Sequence, residues 1–138
     1  MKELKRILHA EDEPDIQAIV RLALERVGGF TVLSCQNGRV ALDAMAEFRP
    51  DLLLLDGMMP EMDGPTLLKK LRAGGPFVDT PAIFLTAKVQ AHEVEQYLAI
   101  GACAVLAKPF EPMQLAAQIR EIWAKRAPLL LMPVQNKI

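Results

Sequence analysis

The stretch that decides the fold is DLLLLDGMMP, residues 51–60, in which four consecutive leucines stand between Asp51 and Asp56. Four apolar residues in a row, followed by glycine and proline, are typical of a short strand that is buried on both faces of a sheet. A carboxylate at the end of such a strand is costly unless it has a partner or a function. Asp56 is therefore the first candidate for a functional residue.

Three other apolar runs also end in polar side chains. Ile7–Ala10 is followed by Glu11 and Asp12, and the runs 82–85 and 105–107 are followed by Thr86 and Lys108. With Thr31–Cys35, these runs predict strands at 7–10, 31–35, 52–55, 82–85 and 103–107. Apolar residues at helical spacing lie between them and predict five helices.

Strands that alternate with helices predict an α/β fold, a parallel sheet covered on both faces. Ligands of such folds bind at the carboxyl ends of the strands. Glu11, Asp12, Asp56, Thr86 and Lys108 all follow carboxyl ends, so we expect them to form one site.

Bulk properties narrow the function classes. The chain has 138 residues, which suits one domain, and 51% of them are hydrophobic. Its net charge of −1 gives no support for nucleic acid or membrane binding through bulk electrostatics. We expect no secretion signal and a cytoplasmic location. Cys35 and Cys103 are interpreted as buried thiols and not as a disulfide.

Three carboxylates in one cleft repel one another unless a proton or a cation intervenes. Hard oxygen ligands in a partly open site suit Mg²⁺. With Lys108 and Thr86 nearby, the set indicates phosphoryl transfer, and Asp56 is the candidate nucleophile because carboxylates form aspartyl-phosphate.

Four motifs in order together resemble the receiver domain of two-component response regulators. They are ILHAEDEP (7–14), the 51–64 stretch, FLTA (84–87) and KPF (108–110), and the resemblance covers residues 4 to about 125. It implies a flavodoxin-like, doubly wound sheet of five strands in the order 2-1-3-4-5, which is the known strand order of a chemotaxis receiver.

The resemblance also implies the role of each site residue. Asp56 accepts phosphate from a histidine kinase or a histidine phosphotransfer protein. Asp12, Asp56 and the backbone carbonyl of Met58 ligate Mg²⁺, and Glu11 acts mainly through a metal-bound water. Thr86, the Ala87 N–H and Lys108 bind the phosphoryl group, and the Lys108–Pro109 peptide bond is expected to be cis. The protein is then a switch that catalyses only its own phosphorylation and dephosphorylation, not an enzyme.

Three positions depart from the pattern of the family. Glu11 stands where aspartate is commoner, which predicts a slightly shifted metal geometry. Gly57 replaces a bulkier apolar residue and is expected to loosen the loop after Asp56. Val105 stands where many receivers carry a switching Tyr or Phe, so we expect the signal to travel by loop and helix movement.

Other interpretations stay open for single residues. Glu11 or Asp12 could be a plain helix cap, His9 a core residue and His92 part of a solvated helix face. A phosphorylation-independent interaction module on a receiver scaffold is the main rival function. An aspartyl-phosphate hydrolase is disfavoured, because Met58 stands where such enzymes need a second acid.

The organisation that we expect is a receiver over 1–126 and an apolar tail over 127–138, with no separate output domain. Such a chain would be a monomer or a weak homodimer, and it would not bind nucleic acid. Its output would pass to a partner protein through the face formed by helix 4, strand 5 and helix 5 (93–125). The tail is expected to be a flexible end or a strand packed on the domain, or else an exposed patch for a partner.

Overall fold

The computed structural model describes residues 2–131, and side chains over 2–126. Within these residues, five strands and five helices alternate, and the first helix continues into a π-helical segment. The strands are β1 (Arg6–Ala10), β2 (Thr31–Cys35), β3 (Leu52–Leu55), β4 (Ala82–Thr86) and β5 (Ala104–Ala107). The helices are α1 (Pro14–Leu22, then π-helical over Ala23–Val27), α2 (Gly38–Phe48), α3 (Gly64–Arg72), α4 (Ala91–Ala99) and α5 (Pro112–Leu131).

All strand pairs are parallel, and the strand order is β2-β1-β3-β4-β5. The flavodoxin-like order expected from the resemblance is therefore confirmed. Because β1 and β3 are neighbours, Ala10 pairs with Leu55, and the residues that follow both strands emerge side by side. The β1–β3 boundary is where the strand order changes direction, which is the usual ligand position in such sheets.

The four leucines of β3 divide between two hydrophobic cores, and all four are fully buried. Leu53 and Leu55 pack with residues of α2, α3 and α4 on one face of the sheet. Leu52 and Leu54 pack with residues of α1 and α5 on the other face. Burial of one such side chain contributes about 1.5–3 kcal/mol, so the strand stabilises both layers and holds Asp56 at its end.

Short-range signals set the helix starts at this edge of the sheet. Asn37 and Asp63 each cap a helix by accepting a hydrogen bond from a backbone N–H, those of Val40 and Thr66, both at 2.9 Å. Pro14 lies in the first turn of α1, as the sequence predicts. Glu13 is the N-cap of α1 and its side chain makes no capping hydrogen bond.

Asp51 fixes the opposite end of β3. Its Oδ2 accepts hydrogen bonds from the backbone N–H groups of Lys5 and Arg6, both at 2.9 Å, and Lys2 forms an ion pair with it at 3.2 Å. Burial alone would raise the pKa of Asp51, but these donors outweigh it and hold that pKa below its ordinary value. Asp51 is therefore a structural carboxylate.

Some details differ from the sequence-based expectations. Both cysteines are free thiols, but only Cys35 is buried; Cys103, the residue before β5, is half-buried. The backbone of α5 continues to Leu131, so the first tail residues extend this helix, and residues 132–138 lie outside the described part. Among the described residues, no helix has the length and apolar character that crossing a membrane requires.

Candidate functional site

Three carboxylates meet at the carboxyl edge of the sheet. Glu11 and Asp12 follow β1, and Asp56 follows β3. Backbone hydrogen bonds extend the sheet past the strand ends, from Glu11 N–H to the Cys35 carbonyl at 2.9 Å and from Asp56 N–H to the Ala10 carbonyl at 3.0 Å. One oxygen from each of the three carboxylates lies within 4.8 Å of the others. The grouping predicted from the sequence is therefore present.

The three carboxylates lie at different depths. The Glu11 side chain is 1% exposed and that of Asp56 is 12% exposed, whereas Asp12 is open to solvent. Glu11 is held at the bottom of the pocket, where its Oε2 also accepts the Glu13 N–H at 3.2 Å. The pocket is thus open on the Asp12 side, and Asp56 lies between its floor and its mouth.

Lys108 reaches into the same pocket from the end of β5. Its ammonium lies 2.6 Å from Glu11 Oε1 and 3.4 Å from Asp56 Oδ2, and its side chain is 14% exposed. The Lys108 N–H donates to the Thr86 carbonyl at 2.9 Å, which continues the β4–β5 pairing by one residue. The Lys108–Pro109 peptide bond is cis, as predicted. Glu11, and not Asp56, is the nearer partner of the lysine, which the sequence did not predict.

The electrostatics of the pocket follow from this pairing. Burial raises the pKa of Glu11, the charge of Asp56 raises it further, and the hydrogen bond from Lys108 opposes both. Burial alone would lower the pKa of Lys108, but Glu11 and Asp56 outweigh it and raise that pKa. Lys108 is therefore a fixed cation at neutral pH, and it offsets part of the repulsion among the acids.

The other predicted site residues lie around Asp56. Thr86 is buried at the end of β4, and its hydroxyl oxygen accepts the Lys88 N–H at 3.2 Å. Ala87 follows it with an exposed side chain. Met58 lies two residues after Asp56, and its side chain is 63% exposed.

Tyr97, in α4, is not among the residues that the sequence predicts for this site, yet it contacts the site. The Tyr97 hydroxyl lies 2.5 Å from the point that a Cβ on Gly57 would occupy, and Thr86 Oγ1 lies 3.1 Å from the same point. The Tyr97 hydroxyl thus fills the space that a side chain at position 57 would need, and the looseness expected for this loop stays a prediction. The absence of a side chain at position 57 was the only sequence signal of this contact.

His9 faces the α1–α5 layer beside the site. Neither ring nitrogen has a hydrogen-bond partner within the described residues. Burial, and then the charge of Lys108, lower the pKa of His9 to about 3, so its imidazole is neutral. The interpretation of His9 as a core residue is confirmed, and His92 is exposed as predicted.

The donor set suits a hard divalent cation. Three carboxylate oxygens within 4.8 Å, one of them on a solvent-exposed residue, match the preference of Mg²⁺ for oxygen ligands and retained waters. Among the described residues the cluster contains no sulfur or imidazole ligand, which disfavours the softer metals.

The family model described as the response regulator receiver domain matches residues 7–120. This chain belongs to the response regulator receiver family. Receiver domains are signalling switches of two-component systems and not enzymes in the ordinary sense, and they bind Mg²⁺ at an acidic pocket. This chain has an acidic cluster, formed by Glu11, Asp12 and Asp56.

Curated relatives are response regulators. The chain is 32% identical over 145 residues to the phosphate regulon transcriptional regulatory protein PhoB of Pseudomonas aeruginosa, covering 97% of this chain and 63% of that protein. It is 36% identical to the response regulator Rre1 of Synechocystis, covering 91% of this chain and 54% of that protein. The chain thus spans between about half and two thirds of the length of these relatives.

Solved structures of receivers have the same fold. The Vibrio cholerae chemotaxis protein CheY4 matches with a TM-score of 0.80 and 28% identity, over 87% of this chain and 99% of that chain. A CheY-like receiver domain protein from Methanospirillum hungatei matches with a TM-score of 0.79 and 27% identity, over 91% of this chain and 98% of that chain.

Proposed function

We propose that this receiver is a phosphoacceptor switch that takes a phosphoryl group onto Asp56 from a histidine kinase or a histidine phosphotransfer protein. The observation that carries the proposal is the Lys108 ammonium, held between the carboxylates of Glu11 and Asp56 in one partly open pocket. A fixed cation beside a reachable carboxylate can stabilise the charge of an incoming phosphoryl group without reorganising.

The acidic cluster would hold Mg²⁺. Its ligands would be Asp12, Asp56 and the Met58 carbonyl, with Glu11 acting through a bound water. When bound, the ion would neutralise the carboxylates and polarise the phosphoryl oxygens. The grouping of the three acids within 4.8 Å supports this assignment.

The remaining side chains would bind the transferred group. An Asp56 oxygen would form a bond to phosphorus as the P–N bond of the donor breaks, and the electron pair of that bond would stay on the donor imidazole. Lys108 would pair with one phosphoryl oxygen, and the Thr86 hydroxyl and the Ala87 N–H would donate to others. The position of Thr86 Oγ1 beside Gly57, the residue after Asp56, supports its part in this step.

Phosphorylation would add charge and acceptor oxygens at the carboxyl edge of the sheet and bias an existing conformational equilibrium. The output would pass to a protein partner through α4, β5 and α5, in the cytoplasm where the phosphodonors of the family act. DNA binding in the names of some relatives is a property of those proteins. The net charge of −1 gives this chain no electrostatic reason for it.

Intact mass measured after incubation with acetyl phosphate, with and without Mg²⁺, tests the proposal. We expect a Mg²⁺-dependent gain of one phosphoryl group that Asp56→Asn abolishes. Asp51→Asn is the matched control, because Asp51 is the carboxylate at the other end of the same strand, and it should accept phosphate normally.

No gain in mass from acetyl phosphate or from a panel of phosphorylated histidine kinases would overturn the proposal. The phosphorylation-independent interaction module would then be the better function. A gain in Asp56→Asn equal to that of the wild type would show that another residue is the acceptor.

A further inference from the structure

Tyr97 is the one residue of α4 that is fully inserted between the helix and the sheet. Among the residues of this helix it alone is buried, with 8% exposure. Its ring stacks on that of Phe84 in β4, with centroids 4.3 Å apart and an angle of 22° between the rings. Tyr97 therefore anchors α4 to the strand that ends in Thr86.

The far end of the same side chain reaches the site. Its hydroxyl occupies the space that a Cβ at position 57 would need, 2.5 Å from that point, with Thr86 Oγ1 3.1 Å from it. Burial raises the pKa of the phenol, and the nearby Thr86 hydroxyl opposes that shift only in part. The two hydroxyls thus lie together, directly beside the residue that follows Asp56.

Thr86 has one hydroxyl hydrogen to donate. Its oxygen already accepts the Lys88 N–H at 3.2 Å, so this hydrogen is available to the Tyr97 oxygen or to a phosphoryl oxygen on Asp56, but not fully to both. A phosphoryl group would therefore compete with the Tyr97 oxygen for this hydrogen. The contact between Thr86 and Tyr97 would then have to rearrange, with the phenol as the donor, and a buried phenol is sensitive to the geometry of its polar partner.

We propose that Tyr97 is a positioning residue that couples the state of Asp56 to helix α4 through Thr86. The inference rests on the proposed function, because the competing group is the phosphoryl group on Asp56. Val105 cannot take this role, since it is a half-buried apolar residue packed in the α2–α4 layer with no hydroxyl to exchange. When Thr86 turns to the phosphoryl group, the Tyr97 ring and α4 move together.

The surface beside the ring leaves room for this movement. A groove of about 380 Å³ lies between α3 and α4, and Tyr97 forms part of its wall with Pro65, Lys69, Gln96, Ala99 and Ile100. A ring that leaves Gly57 can shift toward this groove without entering the tightly packed core.

The chain has a single tyrosine, which makes a direct test possible. Protein labelled with 3-fluorotyrosine gives one ¹⁹F resonance, recorded at neutral pH before and after phosphorylation by acetyl phosphate and Mg²⁺. The phosphorylated fraction of the same sample is measured by intact mass. We expect a second resonance, or a shift, whose size follows that fraction.

Hydrogen exchange of α4 tests whether the hydroxyl carries the coupling. We expect phosphorylation to change exchange in 91–99 of the wild type, and to change it at least threefold less in Tyr97→Phe at an equal phosphorylated fraction. Leu98→Ala, at an exposed neighbouring position on the same helix, is the control and should respond as the wild type does.

The outcomes separate this inference from the proposed function. A full gain in mass with an unchanged ¹⁹F resonance, or an equal α4 response in Tyr97→Phe, would overturn the inference and leave the phosphoacceptor function standing. The absence of any gain in mass would overturn both.

Discussion

Gly57→Ala, which adds one methyl group, should destabilise the protein, and Tyr97→Phe, which removes one oxygen, should restore the lost stability. A Cβ at position 57 would lie 2.5 Å from the Tyr97 hydroxyl, which is 0.9 Å inside the 3.4 Å at which ordinary contact begins. Overpacking of this kind costs about 1–3 kcal/mol. Gly57 is not among the glycines with positive φ, so alanine can adopt its backbone conformation. Alanine also restricts the unfolded chain, and this effect offsets about 0.4–1 kcal/mol of the overpacking cost.

Gly57→Ala should therefore lower the free energy of unfolding by about 1–2 kcal/mol. In a Tyr97→Phe background the closest ring atom is Cζ, at 3.4 Å, which is an ordinary contact. Thr86 Oγ1, at 3.1 Å, is then the one tight contact left and needs to give way by only a few tenths of an ångström. Most of the cost of Gly57→Ala should therefore disappear, and the two substitutions should couple by about 1–2 kcal/mol, within the range for residues in contact.

Urea unfolding of the four proteins of this cycle, followed by far-ultraviolet circular dichroism, measures the coupling. A parallel cycle of Gly57→Ala with Leu98→Ala is the control and should be additive, since Leu98 is exposed on the same helix. Additive free energies in the Gly57–Tyr97 cycle, or an unchanged stability of Gly57→Ala, would refute the proposed contact between Tyr97 and position 57.

Three further predictions follow from the charges. Asp12→Asn should raise the melting temperature in EDTA, because it removes one of three mutually repelling carboxylates within 4.8 Å. In millimolar Mg²⁺ the variant should instead melt below the wild type. A lower melting temperature than the wild type in EDTA would contradict this account of the cluster. Lys108→Met should lower the free energy of unfolding by about 3 kcal/mol in urea at pH 7, because it leaves the buried Glu11 charge without its partner. The double variant with Glu11→Gln should recover most of that loss. No recovery would show that the loss comes from packing of the lysine side chain instead. Asp51→Ala should cost about 1–3 kcal/mol at pH 7, because two backbone N–H groups lose their acceptor. The pKa of Asp51 is lowered in the folded state, so its contribution to stability is present above the ordinary pKa of 3.8 and is lost as the pH falls through the folded pKa. The difference in unfolding free energy between Asp51→Ala and the wild type should therefore narrow at pH 3. A difference that stays constant with pH would contradict a lowered pKa for Asp51.

The sheet and the acidic pocket could be predicted because their signals are local. A run such as Leu52–Leu55 indicates a doubly buried strand without knowledge of its neighbours, and parallel strands bring their carboxyl ends to one edge whatever their order. Asp56 was found in this way, and so were Glu11, Asp12 and Lys108. Their grouping follows from the topology alone.

The contacts that could not be predicted depend on side-chain geometry between distant positions. Tyr97 lies forty residues after Gly57, and an apolar stripe on a helix does not show that one ring extends past the core to a loop. Similarly, Lys108 lies nearer to Glu11 than to Asp56, at 2.6 Å against 3.4 Å, and this depends on side-chain positions deep in the pocket that the sequence does not show. The change of α1 to a π-helical segment over Ala23–Val27 had no sequence signal that we recognised.

The position of β3 in the middle of the sheet has a consequence for genetics. Its leucines support both helical layers, so damaging substitutions at 52–55 should act by lowering the amount of folded protein in the cell. Asp56, the next residue, packs in neither core, and its substitutions should leave abundance normal and abolish signalling. Adjacent codons would then give two distinct mutant classes. Substitutions at 52–55 would be rescued by slower protein degradation or a lower growth temperature, and substitutions of Asp56 would be rescued by neither.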